Sequence, residues 1–287
     1  MNAIEIKGLT KDFRPEAGAA RIRALDEINL EIEAGAVTAL LGPNGSGKST
    51  LLKIILGLIA PTAGECRVFG IPSGCVQARF AVGYVPEAPD FYPFLTGFEV
   101  VRFHARLGGL PRAGLQERVC AIIAETGMSG AAHRRVGTYS QGMKQRIALA
   151  QALVTEPKLL ILDEPTSGID PPGAVEIGAL IRRIQAAGRT VLFSSHQLDQ
   201  VEEICDRAVM LHRGRLVAAG TIGELARRGG GTVLGVESLS GDALGELRVW
   251  LEARGARLQE RRIPQGGLQR VLLEAVNRDR GEEVRLP

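Results

Sequence analysis

The period of the hydrophobic pattern changes along the chain, and each change predicts a different kind of element. Residues 3–10 alternate loosely between apolar and polar. Over residues 25–33 the alternation is cleaner. Ile28, Leu30 and Ile32 fall on one face, and Glu27, Asn29, Glu31 and Glu33 on the other. That is the period of a half-buried strand. Between the two lies RPEAGAA, residues 14–20, whose proline and glycine predict a loop. Residues 37–41 form an unbroken apolar run, expected of a strand buried on both faces. A glycine-rich turn follows, and residues 51–59 then carry helical spacing.

From about residue 95 to residue 152 the pattern predicts a mostly helical insertion, with helices at 100–107, 115–126 and 141–153. Buried-strand patterns return at 158–162 and 190–194, separated by an amphipathic helix at 174–187. Strand, helix and strand in that order predict a parallel α/β sheet. A strand pair at 208–211 and 215–218 meets at the turn Arg213-Gly214. ARRGGG at 226–231 breaks the pattern, which divides the chain into a domain of residues 1–226 and an accessory domain of residues 232–287. The latter reads as strand 233–237, helix 242–254 and strands 257–263 and 270–276, a small C-terminal α+β appendage.

Composition narrows the class of protein. In 287 residues, 45% are hydrophobic and 23% charged, as in a soluble globular chain. Basic and acidic residues, 35 and 32, nearly cancel to a net charge of +3. A dedicated nucleic-acid binder concentrates basic charge, so no nucleic acid is expected as a partner. Spanning a bilayer takes about 20 consecutive apolar residues. The most apolar stretches, 51–60 and 159–162, are too short, and the first carries Lys53. Glu5 interrupts what would otherwise be the apolar run of a signal peptide. Cys66, Cys75, Cys120 and Cys205 show no C-x-x-C pair and no metal-site spacing with the four histidines, which predicts free thiols.

Three segments carry chemistry. Gly42-Pro43-Asn44-Gly45-Ser46-Gly47-Lys48-Ser49 fits G-x-x-x-x-G-K-[ST], set between a strand and a helix. Glycines let the backbone N–H groups wrap an anion, and the helix start adds its positive end. Lys48 reaches the β- and γ-phosphates, and the Ser49 hydroxyl ligates Mg²⁺. Residues 159–164 (LLILDE) are an apolar strand ending in two acids, at the sheet edge where ligands bind. Asp163 is placed to hold Mg²⁺ and Glu164 to act as general base on water. In residues 139–146 (YSQGMKQR), Ser140 is a good N-cap for a helix. A helix start is itself an anion site. A second phosphate-binding helix start is what a nucleotide sandwiched between two subunits requires.

Taken together, these segments resemble the ABC ATPases, whose signature is usually written L-S-G-G-Q and lies shortly before the Asp-Glu strand. Ser140 and Gly142 match it, whereas Tyr139, Gln141 and Met143 depart. Residues 167–170 (SGID) resemble the D-loop that touches the opposite subunit, and His196 resembles the switch histidine that contacts the γ-phosphate. Phe13 resembles the aromatic that stacks on adenine, with a core phenylalanine as the other reading. Glu87 stands where most members have a glutamine that senses Mg²⁺ and the membrane partner. With Phe91, Tyr92 and Phe94 after it, this resembles the ABC-2 type exporter branch. Those aromatics read either as contacts with an intracellular helix of a partner or as packing between subdomains. The resemblance spans about residues 3–222.

The resemblance implies a P-loop NTPase fold, with an N-terminal antiparallel β subdomain ahead of the parallel sheet. It implies an ATP-binding and ATP-hydrolysing subunit that drives separate integral membrane permease subunits from the cytoplasmic face of the membrane. Two cassettes would close head to tail on two ATP molecules. Each nucleotide would be held by Gly42 to Thr50 of one copy and by Ser140 and Gly142 of the other. Lys48, Glu164 and His196 would be catalytic, and Ser49, Glu87 and Asp163 would hold Mg²⁺. Each copy keeps its own base and signature, so a homodimer is expected. A soluble ABC ATPase acting on DNA or ribosomes would bring a long coiled-coil insertion or a second cassette, and neither is present. A P-loop kinase would lack the helix start at Ser140.

Overall fold

In a computed structural model that describes residues 1–14, 21–228 and 241–252, the alternating segments become long strands of one sheet and the continuous runs become short central strands of another. The first half comprises β1 (Asn2–Phe13), β2 (Ile22–Glu33), β3 (Val37–Leu41), α1 (Lys48–Ile55), β4 (Ala63–Val68), β5 (Ile71–Pro72), α2 (Val76–Phe80) and β6 (Val82–Val85). Helices α3 (Gly97–Leu107), α4 (Leu115–Glu125) and α5 (Gln141–Leu153) follow. The chain then returns to α/β order with β7 (Leu159–Leu162), α6 (Pro171–Ala186), β8 (Thr190–Ser195), α7 (Leu198–Ile204), β9 (Arg207–His212), β10 (Arg215–Thr221) and α8 (Ile222–Arg228). Helix α9 (Gly241–Glu252) overlaps the helix expected at 242–254. The strands expected at 233–237, 257–263 and 270–276 lie outside the described residues, as does nearly all of the loop at 14–20.

Two sheets result. One is antiparallel, in the order β2-β1-β4-β5. The other runs β10-β9-β3-β8-β7-β6 and is parallel except for β10, which pairs antiparallel with β9. The expected architecture is therefore present: an antiparallel N-terminal sheet, a parallel sheet and a helical insertion.

Period-two alternation on the central strands divides the core. Leu40, Leu159, Ile161, Leu192, Val209 and Leu211 pack with α1 and the antiparallel sheet. Ala39, Leu41, Leu160, Leu162, Val191 and Phe193 pack with α5 and α6. This division matters at the sheet edge, because it fixes the face to which each polar residue beyond the strand ends belongs.

Several boundaries differ from the pattern, for local reasons. Helix α1 starts at Lys48 instead of Leu51, because the glycine loop feeds directly into it. It ends at Ile55, short of Ile59, since Gly57 adopts a φ of 66°. Helix α6 starts at Pro171, in the first turn where a missing N–H costs no intrahelical bond. Helix α3 carries a full capping box at Thr96. Its hydroxyl accepts from the Glu99 N–H at 3.2 Å, and the Glu99 carboxylate accepts from the Thr96 N–H at 2.9 Å. Bonding to the Thr96 backbone, then to its hydroxyl, holds the Glu99 carboxyl below its ordinary range. Thr96→Ala is expected to lower stability by about 1 kcal/mol, read as a shifted urea midpoint at unchanged slope.

Among the described residues, no helix is long and apolar enough to cross a membrane. All four cysteines are free thiols, as expected, with Cys66 and Cys205 buried.

Candidate functional site

The parallel register brings the ends of β3, β8, β7 and β6 to one edge. Leu41 pairs with Ser195, Leu162 with Phe193, and Val85 with Leu162. Every polar residue singled out from the Gly42 loop, the Asp-Glu tip, Glu87 and His196 follows one of these strand ends.

Between β3 and α1 the loop closes tightly on itself. A Cβ at Gly42 would lie 2.3 Å from the Leu211 carbonyl oxygen and 2.5 Å from Ser46 Oγ, so only glycine fits. Ser46 N–H donates to the Pro43 carbonyl at 3.1 Å, and the Ser46 carbonyl accepts from Gly214 N–H at 2.9 Å, tying the loop to the β9–β10 turn. Lys48 is 8% exposed, and its ammonium folds over the loop and donates to the carbonyls of Gly42 at 2.6 Å and Pro43 at 3.4 Å. Pro43, Asn44, Gly45 and Ser49 are exposed, and Thr50 is half-buried. Ser46 Oγ is buried and has no hydrogen-bond partner among the described residues. A cationic concavity lined by backbone N–H groups, too tight for a side chain at its base, fits a polyphosphate.

At the tip of β7, the Asp163 N–H donates to the Val85 carbonyl at 2.9 Å. Glu87 is exposed, two residues past the end of β6. Burial, and then the charges of Asp163 and Glu87, push the Tyr84 hydroxyl up from its ordinary pKa, so both carboxylates lie within electrostatic reach of that ring. Ser49, Asp163 and Glu87 supply only hard oxygen donors, the set that suits Mg²⁺. Glu164 adopts a left-handed backbone, φ 47°, uncommon for a residue with a side chain. Its side chain is 11% exposed, and its carboxylate lies 2.8 Å from His196 Nδ1, a distance at which the ring N–H donates to it.

The signature segment is built separately. Ser140 caps α5, its Oγ accepting from the Met143 N–H at 3.3 Å. Tyr139, where the family has leucine, is a buried anchor whose hydroxyl donates to the Ala131 carbonyl at 2.7 Å. Gly142 faces Ile169, and Gly168 faces Gln141, so the start of α5 sits on the segment after the acidic pair. Among the described residues neither Ser140 nor Gly142 is hydrogen-bonded to the loop at Gly42–Ser49.

The aromatic readings divide. Phe13 is 39% exposed with the Lys11 ammonium 5.1 Å from its ring centroid, which corrects the core alternative. Phe91 packs against the core beside the helical insertion. Tyr92 and Phe94 are 67% and 65% exposed and face each other at 5.7 Å between centroids, so packing between subdomains holds for Phe91 alone.

One residue escaped the pattern. Ser194, fully buried, donates from its hydroxyl to Asp163 Oδ1 at 2.5 Å and accepts from the Glu164 N–H at 2.9 Å. The available signal was a pair of serines closing an otherwise apolar strand, TVLFSS.

Comparison with known proteins gives the family. The ABC transporter family profile matches residues 25–167. An uncharacterised ABC transporter ATP-binding protein of Nostoc is 40% identical over 71% of this chain, which spans 62% of that relative's length. The daunorubicin/doxorubicin resistance ATP-binding protein of Streptomyces peucetius is 36% identical over 81% of this chain and 69% of its own. Among solved structures, the ATP-binding cassette MJ0796, described as dimeric, post-hydrolysis and bound to ADP and Pi, superposes with a TM-score of 0.69. It is 26% identical over 76% of this chain and 98% of that one.

Proposed function

The chain belongs to the ABC transporter ATP-binding family, and on that footing we propose that it is the ATPase of an exporter, closing on ATP as a homodimer and driving separate permease subunits. The observation that carries this reading is the convergence of the Lys48 loop and the Glu164–His196 pair on one sheet edge.

Each residue has a distinct task. Gly42 to Thr50 wrap the phosphates, and the Lys48 ammonium exchanges its Gly42 and Pro43 carbonyl partners for phosphate oxygens. Ser49, Asp163 and Glu87 would hold Mg²⁺, which would neutralise charge developing on the phosphate oxygens. Glu164 accepts a proton from the attacking water as general base. His196 holds the Glu164 carboxylate and serves as the contact to the γ-phosphate that the family resemblance implies. Phe13, exposed on the antiparallel sheet, offers its ring to adenine. The Ser140 hydroxyl and the Gly142 N–H stand at the start of α5, an anion site, and serve the nucleotide of the opposite copy.

Tyr92 and Phe94, shortly before the helical insertion in the chain, present exposed apolar rings, a surface suited to an intracellular helix of a permease. A permease partner places the chain on the cytoplasmic face of the membrane. The drug-resistance role in the name of the Streptomyces relative supports the exporter reading. Residues 1–226 form the cassette and 232–287 an accessory domain. Deleting 232–287 is expected to spare ATP binding and to alter dimerisation or assembly with the permease. Unchanged assembly and transport in the truncated chain would contradict that division of labour.

The test is capture. Tagged chain carrying Glu164→Gln, loaded with ATP and Mg²⁺, is recovered from detergent-solubilised cells. A polytopic membrane protein is the expected companion. Ribosomes or DNA-associated proteins, with nothing from the membrane, would replace this reading with the soluble class.

A further inference from the structure

A serine hydroxyl has one hydrogen to donate and lone pairs to accept with. At Ser194 both capacities are spent inside the acidic pair, on Asp163 Oδ1 and on the Glu164 N–H. The strand register puts it there. Phe193 pairs with Leu162, so the next residues along the parallel strands, Ser194 and Asp163, stand side by side. Parity sets the face. Leu192 and Ile161 pack on the α1 side of the sheet, and Ser194 and Asp163, two residues further on, continue that side toward the helix that begins at Lys48. A strand buried on both faces is better served by an apolar side chain here. The hydroxyl has to be explained by what it holds.

We infer that Ser194 is the positioning residue of the acidic pair. Its hydroxyl anchors one oxygen of the Asp163 carboxylate and fixes the left-handed backbone turn that aims Glu164 at His196. The inference rests on the proposed roles of Asp163 at the metal and Glu164 as base.

The physical case has two parts. A hydroxyl bonded to a carboxylate is a charge-assisted contact, and with Ser194 buried to 0% exposure no water competes for it. One Asp163 oxygen is thereby immobilised. The left-handed backbone of Glu164, in turn, persists only where surroundings over-determine it. Its N–H donates to Ser194 and its carbonyl accepts from the Ser167 N–H at 3.0 Å, so the turn is held at both ends. Without the hydroxyl, the Glu164 N–H loses its acceptor and the turn can relax, carrying the carboxylate away from His196. A misplacement of about 1 Å in a reacting group can cost 10²-fold in rate.

The test compares Ser194→Ala and Ser194→Cys with the parent chain. Cysteine keeps the volume while offering only a weak donor and acceptor, so it preserves packing if alanine unfolds the strand. Expected in both is a fall in kcat of about 10- to 100-fold with little change in KM for ATP. The concentration of Mn²⁺ half-saturating the ATP complex, followed by electron paramagnetic resonance, should rise by about tenfold. The Glu164 amide should exchange its hydrogen faster while amides within β7 keep their protection. Parental kcat and Mn²⁺ affinity in the folded variants, whatever their melting temperatures, would reduce Ser194 to a packing residue. Glu164→Gln measured alongside separates the two possible failures. Full turnover in that variant overturns the assignment of the base, whereas its inactivity beside unaffected Ser194 variants overturns only the positioning role.

Discussion

Replacing Glu164 by glutamine is expected to lower ATP turnover by about 10²- to 10⁴-fold while leaving ATP affinity close to that of the parent chain. Glutamine has the shape of glutamate, and its amide oxygen can still accept from His196, so the 2.8 Å pairing survives in form. What it loses is basicity, because an amide does not take a proton from water near neutral pH. The backbone at this position is untouched: the N–H still donates to Ser194 and the carbonyl still accepts from Ser167. Stability should therefore move by no more than about 0.5 kcal/mol. The groups proposed to hold the phosphates, Lys48 and the loop amides, follow another strand end and keep their geometry. Binding without hydrolysis accumulates the ATP-loaded state. Phosphate release should be nearly abolished, and light scattering should show a dimer that forms only with ATP. Turnover within about tenfold of the parent would assign the base to another group.

The legibility of this chain follows from where burial is two-sided. Strand β3 and helix α5 match their expected bounds because a continuous apolar run and a capped helical period admit few alternatives. Residues 63–85 were not legible. In β4 half the positions are exposed and only Cys66 and Val68 are buried, so neither a strand period nor an apolar run stands out. Strand β1 continues through Lys11 and Asp12 because Lys11 bonds to the Ala60 carbonyl and Asp12 is held by Arg21 and Arg23, contacts made by distant sequence. At the site, the glycine loop and the acid pair announce themselves because their residue types are costly anywhere else. Ser194 does not, since its meaning depends on register with β7, which only the assembled sheet supplies. The same holds for Phe13 and Tyr92: residue type alone does not say which aromatic the fold leaves exposed.

Lys48→Ala and Gly42→Ala, measured together, should separate charge from shape in the phosphate loop. The lysine change removes an ammonium whose hydrogen bonds to charged groups are worth about 1.5–3 kcal/mol each. Losing two such contacts to phosphate lowers ATP affinity by about 10²-fold or more. The cost to the fold is smaller. The Gly42 carbonyl loses its 2.6 Å partner, a loss of about 1 kcal/mol, and removing a cation from a ring of N–H groups offsets part of that. Binding, not folding, therefore carries the effect, and the rise in melting temperature that ATP produces in the parent should vanish. Gly42→Ala keeps the ammonium but puts a methyl 2.3 Å from the Leu211 carbonyl, which is backbone and cannot swing aside. The loop must shift, so the protein should melt earlier without ligand and also lose most of its response to ATP. A Gly42→Ala chain that binds ATP like the parent would show that Lys48 and the helix start suffice, and that the tight closure at Gly42 serves the fold alone.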